Sequence, residues 1–389
     1  MQIDFHYYAA YCAAYLAGYS HEESLAVAYS DQFTDCCSKT LLKKLKAPAS
    51  AATTQLQTEL MNESSGIIAL QNITRIWSSF HFLPRDLHEQ LPRRPKRYMN
   101  KYRLICGPNG SLLSDTVELA KGRSLQAVGL AMHILSDTWA HTYFAGTPAA
   151  VINNTNDFFY ELRSEDGADT EKKIRFIHNP TAADDLDRSV YVNSVRQENE
   201  NSIMNLGHGR AGHLPDYSFV RYRYLPAWGD YEIIEKDNPS DYYRAFCQMI
   251  YAMKYLRGEY DAFAPDTYDE AAASPFEQEI KSIIVKRQAD ASADWKAFGE
   301  KLSRQAIEDF DIAKYQQEYT DAKPDGKDGT FLGSFFIAAM AQKSMVTHRI
   351  FESGNLLAGL SVDYRLKGFH GIKDFKRLTE LFGGDKRDE

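Results

Sequence analysis

The stretch Ser124-Leu-Gln-Ala-Val-Gly-Leu-Ala-Met-His133-Ile-Leu-Ser-Asp137-Thr-Trp-Ala-His141 sets a histidine, an aspartate and a second histidine four residues apart in an otherwise apolar, helical pattern. On an α-helix each step of four advances a side chain by about 40° and about 6 Å, so the three groups share a stripe roughly 80° wide. Adjacent pairs can converge on ions lying against that stripe. Leu, Val, Ala and Met surround them, and an unpaired carboxylate buried there costs on the order of several kcal/mol. A cation beside Asp137 removes that cost, so the spacing reads as a metal site.

On the N-terminal side, residues 4–18 are apolar or small and end at Gly18, and Ser20-His-Glu-Glu23 forms a capping box that opens a second helix reaching about Cys36. The pair makes an αα-hairpin. His6 lies fourteen residues before Ser20 and Asp35 fifteen after it, so in antiparallel helices the two reach the same level. Residues 39–60 are polar and small, a loop or an exposed extension. A helical stretch then leads to Trp77-Ser-Ser-Phe-His81-Phe-Leu-Pro84, where the proline stops it.

Tyr98–Ile105 alternates as a strand does, Pro108-Asn109-Gly110 is a turn, and helix dominates from about Leu112 to Tyr143. From 146 to 201 no period persists, which predicts a long loop insertion. Asn205-Leu-Gly-His208-Gly-Arg-Ala-Gly-His213-Leu-Pro-Asp216 is too rich in glycine for a regular helix and reads as a compact loop. Helices are expected from Ser240 to Gly258, from Ser274-Pro275 onward, and around 293–317 and 331–353. No internal repeat is visible. The expected fold is all-α: a multi-helix metal-binding domain over 1–260, with the 146–201 insertion, and a helical extension over 261–389 packed on it.

A chain of 389 residues with 44% hydrophobic residues can bury one large core or two smaller ones without staples. Its net charge of -8 argues against a generally basic nucleic-acid surface, so any phosphate binding must be local. Cys12, Cys36, Cys37, Cys106 and Cys247 form no CxxC pair and read as reduced thiols. The N-terminus lacks the marks of a secretory signal, and the apolar run Phe331–Ala341 is shorter than the ~20 residues that span a bilayer. The expectation is a cytoplasmic chain without a transmembrane segment or a legible protein partner, non-classical export remaining open.

The candidate ligands are His6, Asp35, His81, His133, Asp137, His141, His208, His213 and Asp216. Six of the eleven histidines lie among them. Nitrogen and oxygen donors of this kind suit Zn²⁺ first and Fe or Mn next, and nine groups can serve two or three ions with water positions left open.

In the order and type of these ligands the chain resembles the bacterial zinc-dependent phospholipases C and the related zinc nucleases that cleave single-stranded nucleic acid. His133-x3-Asp137 with His141 close behind is the most specific part, and the resemblance covers residues 1 to about 260. The chain is still closer to a bacterial family without an assigned activity that carries Asp-Phe-His near its start, Phe-His-Phe-Leu-Pro, Asp-Thr-Trp-Ala-His and Gly-His-Gly-x-Ala-Gly.

The resemblance to the zinc enzymes implies an all-α fold of the phospholipase C type and a cluster in which Asp35, His81, His133 and Asp137 surround one zinc. Asp137 then bridges to a second ion, also held by His6. His141, His208 and one of His213 or Asp216 hold a third. Those relatives use an N-terminal amine as a ligand; here either Met1 or Asp4 takes that place or the third ion is absent. The implied activity is phosphodiester hydrolysis by zinc-activated water, with Asp137 as the hub and Asp35 as a ligand or general base.

Arg93-Arg94-Pro-Lys96-Arg97-Tyr98 and Arg221-Tyr222-Arg223-Tyr224 follow ligand motifs, so Arg97, Arg221 and Arg223 are candidate substrate contacts, alongside the plain reading of ordinary surface. The expected substrate is a phosphoester: a phospholipid head group, a nucleotide or single-stranded nucleic acid. A metal-stabilised interaction or scaffold protein is the rival reading. Asp184-Asp185-Leu-Asp187 reads as solvated surface.

Overall fold

The structure, a computed structural model, describes residues 1–62, 67–165, 168–179, 182–193, 206–230 and 232–358. Asn205, parts of the 146–201 insertion and residues 359–389 of the expected C-terminal extension lie outside the described residues.

The chain opens with a π-helical turn, Asp4–Ala9, that runs into α1 (Ala10–Leu16). α2 (His21–Phe33) starts from the expected capping box: Ser20 Oγ accepts from the Glu23 amide at 3.2 Å and Glu23 Oε2 accepts from the Ser20 amide at 2.8 Å. There follow α3 (Lys39–Leu45), α4 (Gln57–Asn62), α5 (Ile67–Phe80), α6 (Lys96–Tyr102), α7 (Ser111–Ala120), α8 (Leu125–Ala140) and the short α9 (Ala150–Asn153). α8 carries the opening motif and is buried on nearly every side, packing on α2, α7 and two later helices, α10 (Asn238–Leu256) and α15 (Phe331–Glu352). At its closest approach to α2, a Cβ on Gly129 would stand 2.2 Å from the Val27 carbonyl oxygen. Only glycine lets the two backbones meet there.

The all-α expectation is wrong. About 52% of the described residues are helical and 10% lie in strands. The supposed loop insertion carries β1 (Thr155–Glu165), β2 (Ala168–Lys173), β3 (Arg175–Ile177) and β4 (Val190–Val192), and β5 (Arg221–Pro226) and β6 (Ile234–Asp237) follow. Four of them form an antiparallel sheet in the order β2-β1-β5-β6, while β3 and β4 pair in parallel. The alternation of β1 is hidden by one inward-facing charge. Glu161 is 1% exposed, paired with Arg287 and with Arg163 at 3.2 Å, and accepts from Ser189 Oγ at 2.6 Å. A buried carboxylate with partners looks like a loop residue in sequence. The expected strand over Tyr98–Ile105 is instead largely α6, started after Pro95, with Tyr98 and Tyr102 stacked one turn apart; only an Ile105–Ala145 bridge is β-like.

The inner face of the sheet, with Phe159, Tyr222 and Tyr224, packs on Phe144 and Phe82 in a second, smaller core that backs the histidine loop. The remaining helices are α10 (Asn238–Leu256), α11 (Glu270–Ala273), α12 (Glu277–Val285), α13 (Ser292–Ser303), α14 (Gln316–Asp321) and α15 (Phe331–Glu352). Two of them reach the N-terminal elements directly. Trp295 of α13 meets Phe5 and Phe246 edge-on and stacked, and α15 lies along α8 and α5, so residues beyond 260 share the main core. Among the described residues no helix is long and apolar enough to cross a membrane.

Candidate metal centre

Five segments meet at the C-terminal half of α8. The π-turn brings His6, the end of α2 brings Asp31 and Asp35, the residue after α5 brings His81, α8 brings His133, Asp137 and His141, and the glycine-rich loop brings His208 and Asp216. The loop is seated by Gly207, whose φ is +54° and where a Cβ would overlap the Phe82 ring at 2.2 Å; Phe82 in turn stacks on His141. Three sets have ligand atoms within 4.8 Å of one another and could hold a metal ion: His6, Asp31 and His133; Asp35, His81 and His133; His141, His208 and Asp216.

Asp137, 1% exposed, stands among all three sets. Its Oδ2 lies 3.2 Å from His81 Nδ1 and 3.2 Å from His133 Nε2, and its Oδ1 lies 3.2 Å from His6 Nε2. The Met1 nitrogen is 2.8 Å from Asp137 Oδ1, 3.3 Å from Asp216 Oδ1 and 3.4 Å from His141 Nε2. Asp4 points away, accepting from the amides of Phe5 and Ala291. Burial alone would raise the Asp137 carboxyl, but His141, the Met1 amine, His133 and His6 hold it well below the usual carboxylate range. Burial opposes charge on His133 as well; Asp137 and Asp35 overcome it and push that imidazole up to about 10. The cluster attracts positive charge.

Main-chain carbonyls decide which ring nitrogens are bare. His81 Nε2 lies 3.1 Å from the Thr53 oxygen, His141 Nδ1 2.6 Å from the His81 oxygen, and His208 Nδ1 2.9 Å from the Gly212 oxygen. A carbonyl only accepts, so each of these nitrogens carries the proton. Burial, the largest effect on both, lowers His81 and takes His208 down to about 4, so these two rings are neutral near pH 7. Their other nitrogens are lone pairs, and they face carboxylates: His81 Nδ1 faces Asp137 at 3.2 Å and Asp35 at 3.6 Å, and His208 Nε2 faces Asp216 at 3.6 Å. His133 Nε2, 3.2 Å from both His81 Nδ1 and Asp137 Oδ2, has one proton to give to these two acceptors, so the set is satisfied in full only by a cation between them. Metal–ligand bonds of about 2.0–2.1 Å around a tetrahedral ion put neighbouring ligand atoms roughly 3.3 Å apart. The 3.2 Å contacts fit that edge. His6 Nε2 is moreover buried without a hydrogen-bond partner. The donor set thus fits a divalent cation.

Eight of the nine expected ligands are brought together, and His213 is not. It sits on the outer side of the loop, where Nδ1 bonds Asp184 at 2.9 Å, and Tyr217 donates to the same carboxylate oxygen at 2.6 Å. Asp184 is therefore no solvated residue; its side chain is 2% exposed. Asp35 faces His81 rather than His6, because α2 ends at Phe33 and Asp35 lies in the turn beyond it. The partner of His6 is Asp31, at 2.7 Å. Asp31 escaped the sequence reading although it stands four residues before Asp35, the spacing used on α8. Residues 51–55, expected in a loop or exposed extension, are buried and supply the Thr53 carbonyl.

Arg221 pairs with Glu235 at 3.5 Å, and Arg223 with Glu171 at 2.5 Å while lying over the rings of Phe158 and Tyr160. Both belong to the β5 face opposite the buried Tyr222 and Tyr224. Arg97 is exposed on α6, and Arg94 pairs with Asp230.

Residues 1–350 match a family of unknown function, DUF6765. The chain belongs to that family. No curated protein and no solved structure matches it. Membership in this family brings no activity with it, and the functional reading rests on the geometry of the cluster.

Proposed function

We propose that the protein is a metal-dependent phosphoester hydrolase, most simply a zinc phosphodiesterase, with Asp137 as the shared ligand of the cluster. One observation carries this reading: His81, neutral and anchored on the Thr53 carbonyl, turns its bare nitrogen onto Asp137 at the edge length of a metal polyhedron. His81, His133, Asp35 and Asp137 would hold one ion; His6 and the other oxygen of Asp137 a second; His141, His208 and Asp216 a third. Bound zinc would supply a water of lowered pKa and neutralise charge on a phosphoryl oxygen.

The side chains of His6, His133 and Asp137 are nearly or fully sealed, whereas Asp35 is 32% and His208 19% exposed. This edge supports catalysis over a purely structural cluster, which needs no solvent-facing donors. Asp35 would hold its ion through Oδ1, the oxygen facing His81, and keep Oδ2, 3.5 Å from Gln32 Nε2, to take the proton that water gives up as it attacks phosphorus. The P–O bond to the leaving alkoxide then breaks, and the alkoxide takes the proton back from Asp35, giving a phosphomonoester and an alcohol. The nature of the ester, phospholipid or nucleotide, is a matter for assay.

Purified protein should hydrolyse a generic phosphodiester such as bis(p-nitrophenyl) phosphate, lose the activity on chelation and regain it with zinc. A metal-loaded chain inert towards phosphodiester, phospholipid and oligonucleotide panels would sink the proposal and favour a metal-stabilised scaffold.

A further inference from the structure

Asp31 is fully buried at the end of α2, and its Oδ1 meets two rings at once: His6 Nδ1 at 2.7 Å and His133 Nδ1 at 3.2 Å. Given the metal cluster proposed above, we propose that Asp31 is a positioning residue and not a ligand. It accepts the Nδ1–H of both imidazoles and so fixes Nε2 as the metal-facing atom of each.

Distance separates the two roles. Two ligands of one tetrahedral zinc stand roughly 3.3 Å apart, whereas a charge-assisted N–H···O bond spans about 2.7–2.9 Å. The His6–Asp31 contact has the hydrogen-bond length, while the His133–Asp31 contact, at 3.2 Å, fits either role and is decided by the far side of its ring. The far side of each ring agrees. His6 Nε2 lies 3.2 Å from Asp137 Oδ1, and His133 Nε2 lies 3.2 Å from Asp137 Oδ2. A ring that gave Nε2 to an ion on the Asp137 side and Nδ1 to another on the Asp31 side would have to lose both protons. With a carboxylate behind it, each ring keeps one proton and becomes a better donor.

The pair is also coupled. The two rings stack with centroids 3.9 Å apart and planes 23° apart, on one shared oxygen. His6 serves the ion on Asp137 Oδ1, and His133 the ion shared with Asp35 and His81. Asp31 therefore sets the aim of ligands belonging to two different ions, and its removal disturbs both. Its other oxygen, Oδ2, is buried with no hydrogen-bond partner among the described residues.

Two measurements on the full-length chain test this. In zinc-loaded, ¹⁵N-labelled wild type, histidine-ring correlation spectra should show His6 and His133 protonated at Nδ1 and bound through Nε2; the reverse pattern overturns the proposal. Zinc titration of Asp31→Ala should show affinity about 10–100-fold weaker, with as many ions at saturation as wild type. Asp31→Asn, which keeps an acceptor oxygen and the shape, should fall between them and covers a failure of the alanine variant to fold. Loss of one ion at saturation in either variant makes Asp31 a ligand and overturns the proposal. Wild type that takes up no zinc defeats the metal cluster itself, a result distinct from zinc-bound wild type with the wrong ring nitrogen.

Discussion

His213 and Asp184 show how two side chains near a ligand cluster can be bound to each other instead. The hydrogen bond to Asp184 raises the His213 imidazole against its partial burial; burial of Asp184 is outweighed by His213, Tyr217 and the Val192 amide, which lower that carboxyl. The depressed carboxyl stabilises the fold above its unfolded pKa of about 3.9 and loses that contribution as pH falls. The raised imidazole contributes fully below about 6.5 and loses its share as pH rises through the folded value. Both act between about pH 4 and 6.5. His213→Ala should therefore cost at most about 1 kcal/mol at pH 5.5, the imidazole being half exposed, and less at pH 9. Urea unfolding at the two pH values reads this, and an equal loss at both contradicts it. At this scale the sequence was most legible where spacing alone decides, as at His133, Asp137 and His141. It was least legible where a carboxylate chooses between neighbours: Asp31, Asp184 and Glu161 all read as ordinary polar residues until their partners are known.

Among the elements, the α2–α8 contact sets the cluster, because it brings Asp31 and Asp35 to His133. Its closeness depends on Gly129 facing the Val27 carbonyl. Gly129→Ala should force the helices apart, cost about 1–3 kcal/mol and weaken metal retention without touching a ligand. Thermal melts and metal content of that variant are the check, and an unchanged midpoint would mean that the helices do not meet as described. Helices with a clear cap or apolar stripe, α2, α8 and α15, were predictable from sequence. The strands were not, since β1 hides Glu161 and β6 hides Lys236 on buried positions; Lys236, 2% exposed, donates to the Trp139 carbonyl at 2.8 Å and so ties β6 to the end of α8.

For the whole molecule, sequence reading assembled most of one site from five separated segments and expected the later helices to pack on the metal-binding part, but missed the sheet. Ligand chemistry is local and leaves spacing marks, while the packing of α13 on the π-turn joins residues almost 300 positions apart and leaves none. The cluster's defining property is that one carboxylate, Asp137, is shared. Metal analysis of gently purified wild type and Asp137→Ala, each confirmed as folded, tests this most directly. Two or three zinc, iron or manganese ions per wild-type chain and the loss of at least two in the variant is the predicted result. A metal-free wild type, or a variant that loses one ion or none, would contradict it.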